Sequence, residues 1–399
     1  MHVLPYGRAP LYCLTLKKTQ PIKTMHILFV QPQPCIRALK YAEGLCKIHS
    51  DIRLSFAYSG KTLTELYGHG DECFEAWFPL DDNPAAELRK LVDTHDINLI
   101  HSHNAPDTLT NLCIDLFGGK IPIVHDIHDL MSARNTAYED GLNKKINVVN
   151  WRKEERRAIE HSDALITVSD VIFNLARRKG YRLPKIAHVY ENYIPERFIP
   201  KTLPQINKNL ANRPIRIVYE GFISSNGGHY DMRSIFKALA VEGIEVHIYP
   251  SRDNFDYQTL SDTVLNIFYH PSIAPDKLLK EITQYDFGWA GFNDTLNRVH
   301  LNTVLPNKLF EYIACGLPVI SFPHEALKRF LETHRLGLVI DTVSGLTGRL
   351  RDPGMTAIRK NVRAHRWDFT VEANIGCIVN MYLQLCEETA SFCYKQRYN

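Results

Sequence analysis

Short apolar runs alternate with helix-length amphipathic segments along almost the whole chain. In the first half, His26–Val30, Arg53–Tyr58, Asn98–His101, Ile121–His125, Ala164–Val168 and Ile186–Tyr190 are short and apolar enough to predict strands. Between them, Ile36–Ile48, Pro84–Thr94 and Asn143–His161 have helical periodicity. Residues 195–214 contain Pro195, Pro200, Pro204 and Pro214 with little periodicity, and predict a linker. The alternation then restarts: Ile215–Tyr219, Glu245–Tyr249, Asn266–Tyr269, Phe287–Ala290, Pro318–Phe322 and Gly337–Ile340 read as strands. Strands separated by helices mean an α/β fold with parallel sheets. The pattern therefore predicts two doubly wound, Rossmann-like units facing a cleft. The first spans residues 25–200 and the second 201–369, with 1–24 as an N-terminal extension and 370–399 as a final helix.

In open parallel sheets, ligands bind beyond the carboxyl ends of the strands. Three polar clusters fall at such predicted ends. His101-Ser102-His103-Asn104 and His125-Asp126-Ile127-His128-Asp129 belong to the first unit. For any one of these histidines a hydrogen-bonded structural role is the commoner case; their number together points to a polar cleft. Metal binding is the competing reading, since His and Asp are suitable ligands, but H-D-x-H-D lacks a recognised ligand geometry and no metal is expected. In the second unit, Tyr219-Glu220-Gly221-Phe222 leads into Ser224-Ser225-Asn226-Gly227-Gly228-His229. Such a turn can present the amides of Gly221, Asn226, Gly227 and Gly228 to phosphate, or be a plain strand-to-helix loop.

The most informative stretch runs from Leu305 to Ile320. Pro306 suits the first turn of a helix, Gly316 its stop, and Leu317–Phe322 a buried strand. Lys308 in the first turn adds its charge to the positive end of the helix dipole, where phosphates bind. Glu311, three residues on, shares its face and can accept two hydrogen bonds from a ribose diol. Asn302, Thr303 and Asn307 sit in or beside the preceding loop, within reach of a sugar attached to the phosphates. A surface ion pair on an ordinary helix is the alternative at this point.

Composition narrows the class. The 399 residues are 45% hydrophobic and 23% charged with a formal net charge of +3, which gives no reason to expect nucleic-acid binding. No apolar run approaches the roughly 18–20 residues that span a bilayer. Leu11–Leu16 is too short for a secretory signal. The nine cysteines are scattered without C-x-x-C spacing, against a disulfide framework or zinc site and in keeping with a reducing cytoplasm. Cys315 reads as a small core residue.

With these residues assembled, the chain resembles the family-4 type of retaining, nucleotide-sugar-dependent glycosyltransferases (group 1) of the GT-B fold. The strongest match is Pro306-x-Lys308-x-x-Glu311-Tyr312-x-Ala314-x-Gly316-x-Pro318-Val319-Ile320. Supporting matches are His101/His103, Val124-His125-Asp126, Asp163 to Ser169, Tyr219-Glu220-Gly221 and Trp367. The resemblance implies that Glu311 binds the nucleotide ribose, that Lys308 lies near the pyrophosphate, and that His125 contacts the transferred sugar or stabilises charge. It also implies that the last helix crosses back to the first domain. Arg37, His103, Asp126 and His128 fall on the acceptor or phosphate side.

The sequence departs from the family at three places. Gln31 to Arg37 replaces a Gly-Gly loop, which makes Arg37 a candidate phosphate contact. The family's Arg and Lys would fall near Phe222 and Gly227, where Arg233 is the nearest substitute. The first glutamate of the E-x7-E motif falls at Thr303.

The implied activity is transfer of a sugar from a nucleotide sugar, UDP- or GDP-linked, to a glycan, lipid-linked or other hydroxyl acceptor. It would proceed with retention and without metal or further cofactor, in the synthesis of surface polysaccharide or glycoconjugate. A same-fold sugar-nucleotide epimerase and a non-catalytic nucleotide-sugar-binding subunit are the alternatives. The helix at 143–161, with Lys144, Lys145, Arg152, Lys153, Arg156 and Arg157, is either a solvated face or a peripheral contact with the inner membrane surface, extended by Arg177-Arg178-Lys179.

Overall fold

The computed structural model describes residues 24–48, 51–134, 148–205, 213–293 and 297–398. Residues 1–23 of the predicted extension, 143–147 of the basic helix and part of the predicted linker lie outside them.

Among the described residues, thirteen strands form two parallel sheets. The first contains β1 (Met25–Val30), β2 (Ile52–Tyr58), β3 (Ala76–Pro79), β4 (Leu99–His103), β5 (Ile123–Ile127), β6 (Ala164–Thr167) and β7 (Ile186–Val189). The second contains β8 (Ile215–Gly221), β9 (Ile244–Pro250), β10 (Ile267–Tyr269), β11 (Phe287–Trp289), β12 (Val319–Ser321) and β13 (Gly337–Val339). Their orders are β3-β2-β1-β4-β5-β6-β7 and β10-β9-β8-β11-β12-β13. Both follow the 3-2-1-4-5-6 winding whose order reverses beside the first strand, opening a crevice there. This is the GT-B architecture.

The sequence pattern missed β3. Its four residues are half-buried or exposed at the sheet edge and end at Pro79, whose missing N–H is tolerated at an edge. Two other differences bear on the site. β4 continues through His103 and β5 through Ile127, so the histidine clusters lie inside strands rather than after them. Alternation then decides where each side chain points.

Each sheet is covered on both faces. Phe29, Leu99 and Val124 pack with the helix Ile36–Ile48 and with Ile378, Val379 and Tyr382 of the last helix, Gly376–Tyr398. The hydroxyl of Tyr382 lies 2.5 Å from His101 Nδ1, which ties that helix beneath the first sheet. The core around Phe310 and Ile313 also takes in Val171, Ile194 and Ile199, so the apolar packing runs on between the two halves.

Candidate active site

The helix Asn307–Ala314 is preceded by Pro306 in extended conformation (ψ 154°). It stops at Gly316 (φ +72°), where Gly316 N–H donates to Ile313 O and Leu317 N–H to Tyr312 O. This is the Schellman arrangement that glycine permits. The helix can seat against β11 because residue 288 is glycine. A Cβ there would stand 2.2 Å from the Tyr312 ring. The Tyr312 hydroxyl in turn accepts a 3.0 Å hydrogen bond from the Glu220 N–H at the end of β8. Register between helix and strand is thereby set at the point where their side chains meet.

Four charged residues converge there. Lys308, 8% exposed, holds Nζ 3.6 Å from the centre of the Tyr219 ring and has no hydrogen-bond partner. Burial lowers its pKa to about 8, against the opposing pull of Glu220 and Glu311. The Glu220 carboxyl is pushed well above its ordinary value by burial and then by Glu311 beside it, and its Oε1 is unpartnered. Burial and a neighbouring carboxyl both favour the neutral form of Glu220. Lys40, from the helix Ile36–Ile48, reaches across to donate to Asn307 Oδ1 (2.7 Å) and Asn192 O (3.2 Å). Burial lowers its pKa also to about 8, with Glu311 opposing.

Lys308, Glu220 and Glu311 line a cavity of about 400 Å3 between the two sheets, and Lys40 stands beside it through its bonds to the lining residues Asn192 and Asn307. Arg37, His128, Asp129 and Asn192 line it from the first half, and Glu220, Gly221, His229, Tyr230, His300, Asn307, Lys308 and Glu311 from the second. Gly221 adopts φ +101°, a conformation that disfavours any side chain. Burial lowers the His229 and His300 pKa values to about 3 and 4, so both rings are neutral at pH 7. Burial acts to lower the His128 pKa, but the neighbouring Cys35 sulfur, with Asp129 and Asp126, raises it to about 9. His300 Nε2 stands 3.7 Å from Asp129 Oδ1 across the cleft.

Of the residues singled out in the sequence, the structure brings Arg37, His128, Gly221, Asn307, Lys308 and Glu311 to this cavity. The others lie elsewhere. His125 is fully buried on the face of β5 opposite Asp126, with Nδ1 3.1 Å from Thr110 Oγ1 and Nε2 3.2 Å from Asp107. His103 and Asp126 share a face with His101 beneath the helix Ile36–Ile48 and are fully buried. There Arg37 Nε donates to both oxygens of Asp126, at 3.1 and 2.9 Å. His101, His103 and Asp126 are the group of described residues close enough together to share a metal ion, but the guanidinium already takes up the carboxylate.

In the glycine loop, Gly227 N–H donates to Asp231 and Gly228 N–H to Asn226 Oδ1, so these amides close the turn on itself. Arg233 is held by Asp231 at 2.9 and 2.7 Å and by Ser225 O, and does not stand in for the absent cations. Asn302 Oδ1 accepts from Glu325 N–H at the next helix start. The Thr303 hydroxyl donates to His300 O.

Sequence reading missed Lys40, Glu220 as a site residue, and the pair His229/His300. Lys40 looked like one polar position of an amphipathic helix. Glu220 carried a signal: an acid directly before a strand-end glycine in an otherwise apolar run.

Residues 69–191 match the model of the family described as Glycosyltransferase Family 4, and residues 232–367 that of Glucosyltransferase 3-like, C-terminal domain. Together with the fold, these two matches support a glycosyltransferase of GT-B architecture and are consistent with group 1. Solved structures agree on the fold. Sucrose-phosphate synthase from Thermosynechococcus elongatus superposes with a TM-score of 0.64 at 14% identity, over 90% of this chain and 99% of its own. HepE from Anabaena in complex with UDP gives 0.64 at 13% identity over 92% and 100%. WaaG, a glycosyltransferase involved in lipopolysaccharide biosynthesis, gives 0.57 at 14% over 89% and 99%. No curated protein matches the sequence significantly. Among the described residues no helix is long and apolar enough to cross a membrane.

Proposed function

We propose that the cavity holds a nucleotide sugar, UDP- or GDP-linked, and transfers its sugar with retention to a hydroxyl of a glycan or lipid-linked acceptor, without metal. The reading is carried by Lys308 and Glu311 on one helix face, both lining the cavity at the carboxyl ends of the second sheet. Glu311 accepts hydrogen bonds from the ribose diol. Lys308 and the helix N-terminus face the diphosphate, and Lys40 adds a second cation from the first half. A protonated Glu220 lets the diphosphate approach one carboxylate instead of two.

As the bond from the anomeric carbon to the diphosphate breaks, negative charge grows on the leaving oxygen, where the cations stabilise it. The acceptor oxygen bonds to the same face of that carbon, and its proton passes to the departing phosphate oxygen. Asp129 and His128 stand on the acceptor side. His125 is not given a direct catalytic role, because it faces away from the cavity.

Glu311→Ala should weaken nucleoside diphosphate binding and Lys308→Ala should cut turnover. Unchanged sugar transfer in both would refute the assignment. HepE has been solved with UDP, with UDP-glucose, and with UDP and glucose, which makes UDP-glucose the first donor to assay. The turned-away Thr303 hydroxyl favours a second reading, a nucleotide-sugar-binding subunit; donor binding without turnover across a panel of acceptors would support it. The exposed Arg152, Lys153, Arg177 and Arg178 would contact an anionic membrane surface in polysaccharide or glycoconjugate synthesis at the inner face of the membrane. Co-sedimentation with anionic vesicles tests that contact.

A further inference from the structure

At the opposite end of the second sheet, a separate cavity of about 240 Å3 is lined by Arg213, Arg216, Arg359 and Arg363. It adjoins the segments that enter β8, β11 and β12, whereas the cleft lies where strands leave the sheet. Asp286 is the one carboxylate among its lining residues. That carboxylate is already engaged: Arg213 holds it with two hydrogen bonds at 2.7 and 2.6 Å, and Arg216 N–H donates to it at 2.9 Å. Arg359 makes a longer ion pair with it at 3.4 Å and donates to the Asp286 carbonyl oxygen at 3.4 Å, both through Nη2.

Four guanidinium groups and one carboxylate leave a surplus of three positive charges, four minus one. Asp286 pairs closely with Arg213 and more loosely with Arg359, and the Arg216 guanidinium donates to the neutral Gln284 carbonyl, so a single carboxylate answers four cations. Arg359 is 7% exposed, stacked 4.7 Å from the centre of the Phe287 ring, and its Nε has no hydrogen-bond partner. Arg363 Nε is likewise buried and unpartnered. A buried donor without a partner is costly and unusual, and two on neighbouring guanidiniums call for one acceptor between them. Burial lowers the pKa of both side chains, and adjacent arginines add to the effect.

We propose that this cavity binds a small phosphate-bearing anion, with Arg359 and Arg363 as its principal contacts. A surplus of three charges exceeds what one carboxylate ligand would neutralise, whereas a phosphate monoester carries about −1.5 to −2 at pH 7. Guanidinium forks match phosphate oxygens in geometry. At roughly 30 Å3 per water the cavity has room for about eight waters, enough for inorganic phosphate or the phosphate end of a nucleotide. It is distinct from the donor cleft. The helix Asn307–Ala314 begins at the cleft with Asn307 and is followed by Gly316 at the arginine cavity.

The test is thermal unfolding of the full chain with inorganic phosphate, and separately with a nucleoside monophosphate, titrated at low millimolar concentration against chloride at constant ionic strength. A ligand bound only by the folded state raises Tm saturably. The expected result is a saturable rise of a few degrees with at least one phosphate probe, retained in Lys308→Ala and lost in Arg359→Gln and Arg363→Gln. The two probes separate free phosphate from phosphate carried on a nucleotide. Arg363→Gln, at a less buried residue, keeps the test decisive if Arg359→Gln fails to fold. Absence of a saturable rise in the wild type, a rise unchanged in Arg363→Gln, or a rise lost in Lys308→Ala alone would overturn the proposal.

Discussion

Lys40 Nζ donates a 2.7 Å hydrogen bond to the side-chain oxygen of Asn307, joining the first helix of one half to the first turn of the helix that carries Lys308 and Glu311 in the other. The family resemblance leads one to expect an Arg and a Lys after β8, and Phe222 and Gly227 stand near those positions. Here a cation enters the neighbourhood of the cleft from the opposite half, so the charge available to a diphosphate depends on how the halves meet. Lys40→Met should weaken nucleoside diphosphate binding about tenfold or more, since a hydrogen bond to a charged group contributes about 1.5–3 kcal/mol. Isothermal calorimetry on the variant, with Lys40→Arg for comparison, measures it.

Diphosphate affinity should fall as pH rises through about 8. Burial brings both Lys308 and Lys40 to pKa values of about 8, and only their charged forms attract phosphate. A bound diphosphate favours those charged forms, so binding takes up protons in this range and weakens once they are lost. Dissociation constants measured across the range should show this decline. In Lys308→Arg it should flatten, because a guanidinium stays charged throughout.

Arg37→Leu should destabilise the fold by about 3–5 kcal/mol, the usual cost of leaving a buried charge without its partner. Burial pushes the Asp126 carboxyl up, but Arg37, then His101 and His103, hold it well below its ordinary value. A depressed folded pKa contributes stability that is present above the unfolded value of about 3.9. That contribution is lost as pH falls through the folded value. Urea unfolding at neutral pH checks the size, and adding Asp126→Asn to Arg37→Leu should recover part of the loss.

Gly288→Ala should cost about 1–3 kcal/mol or more, as overpacking does. The new Cβ would meet the Tyr312 ring at 2.2 Å. Because Tyr312 also accepts from Glu220 N–H, relief of the clash moves the helix away from β8. The variant should therefore show both a lower urea midpoint and weaker diphosphate binding.

Much of the fold is legible along the chain. Twelve of the strands follow from apolar runs, and the edge strand Ala76–Pro79 escapes because a half-exposed segment of four residues leaves no such run. The helix around Lys308 and Glu311 is readable for a local reason: Pro306, the i,i+3 spacing and Gly316 all act within a few residues. The histidine clusters are readable as polar but not as to direction. Two further residues of strand at the ends of β4 and β5 bring His103 and Asp126 into the alternation, which sends Asp126 to Arg37 while His125, on the other face, meets Asp107.

By itself, then, the sequence determined the two parallel units, the order of their elements and the helix face shared by Lys308 and Glu311, since each rests on periodicity and capping over short distances. Only the tertiary structure decided which polar groups share the cleft. Lys40 meets Asn307 across 267 residues, and the Glu220 carboxyl lies beside Glu311 because Gly288 lets a helix approach a strand. Four arginines and one aspartate line a single cavity because separate segments converge at the far end of the second sheet. Such contacts depend on packing between distant segments, and burial there sets the charge each group carries.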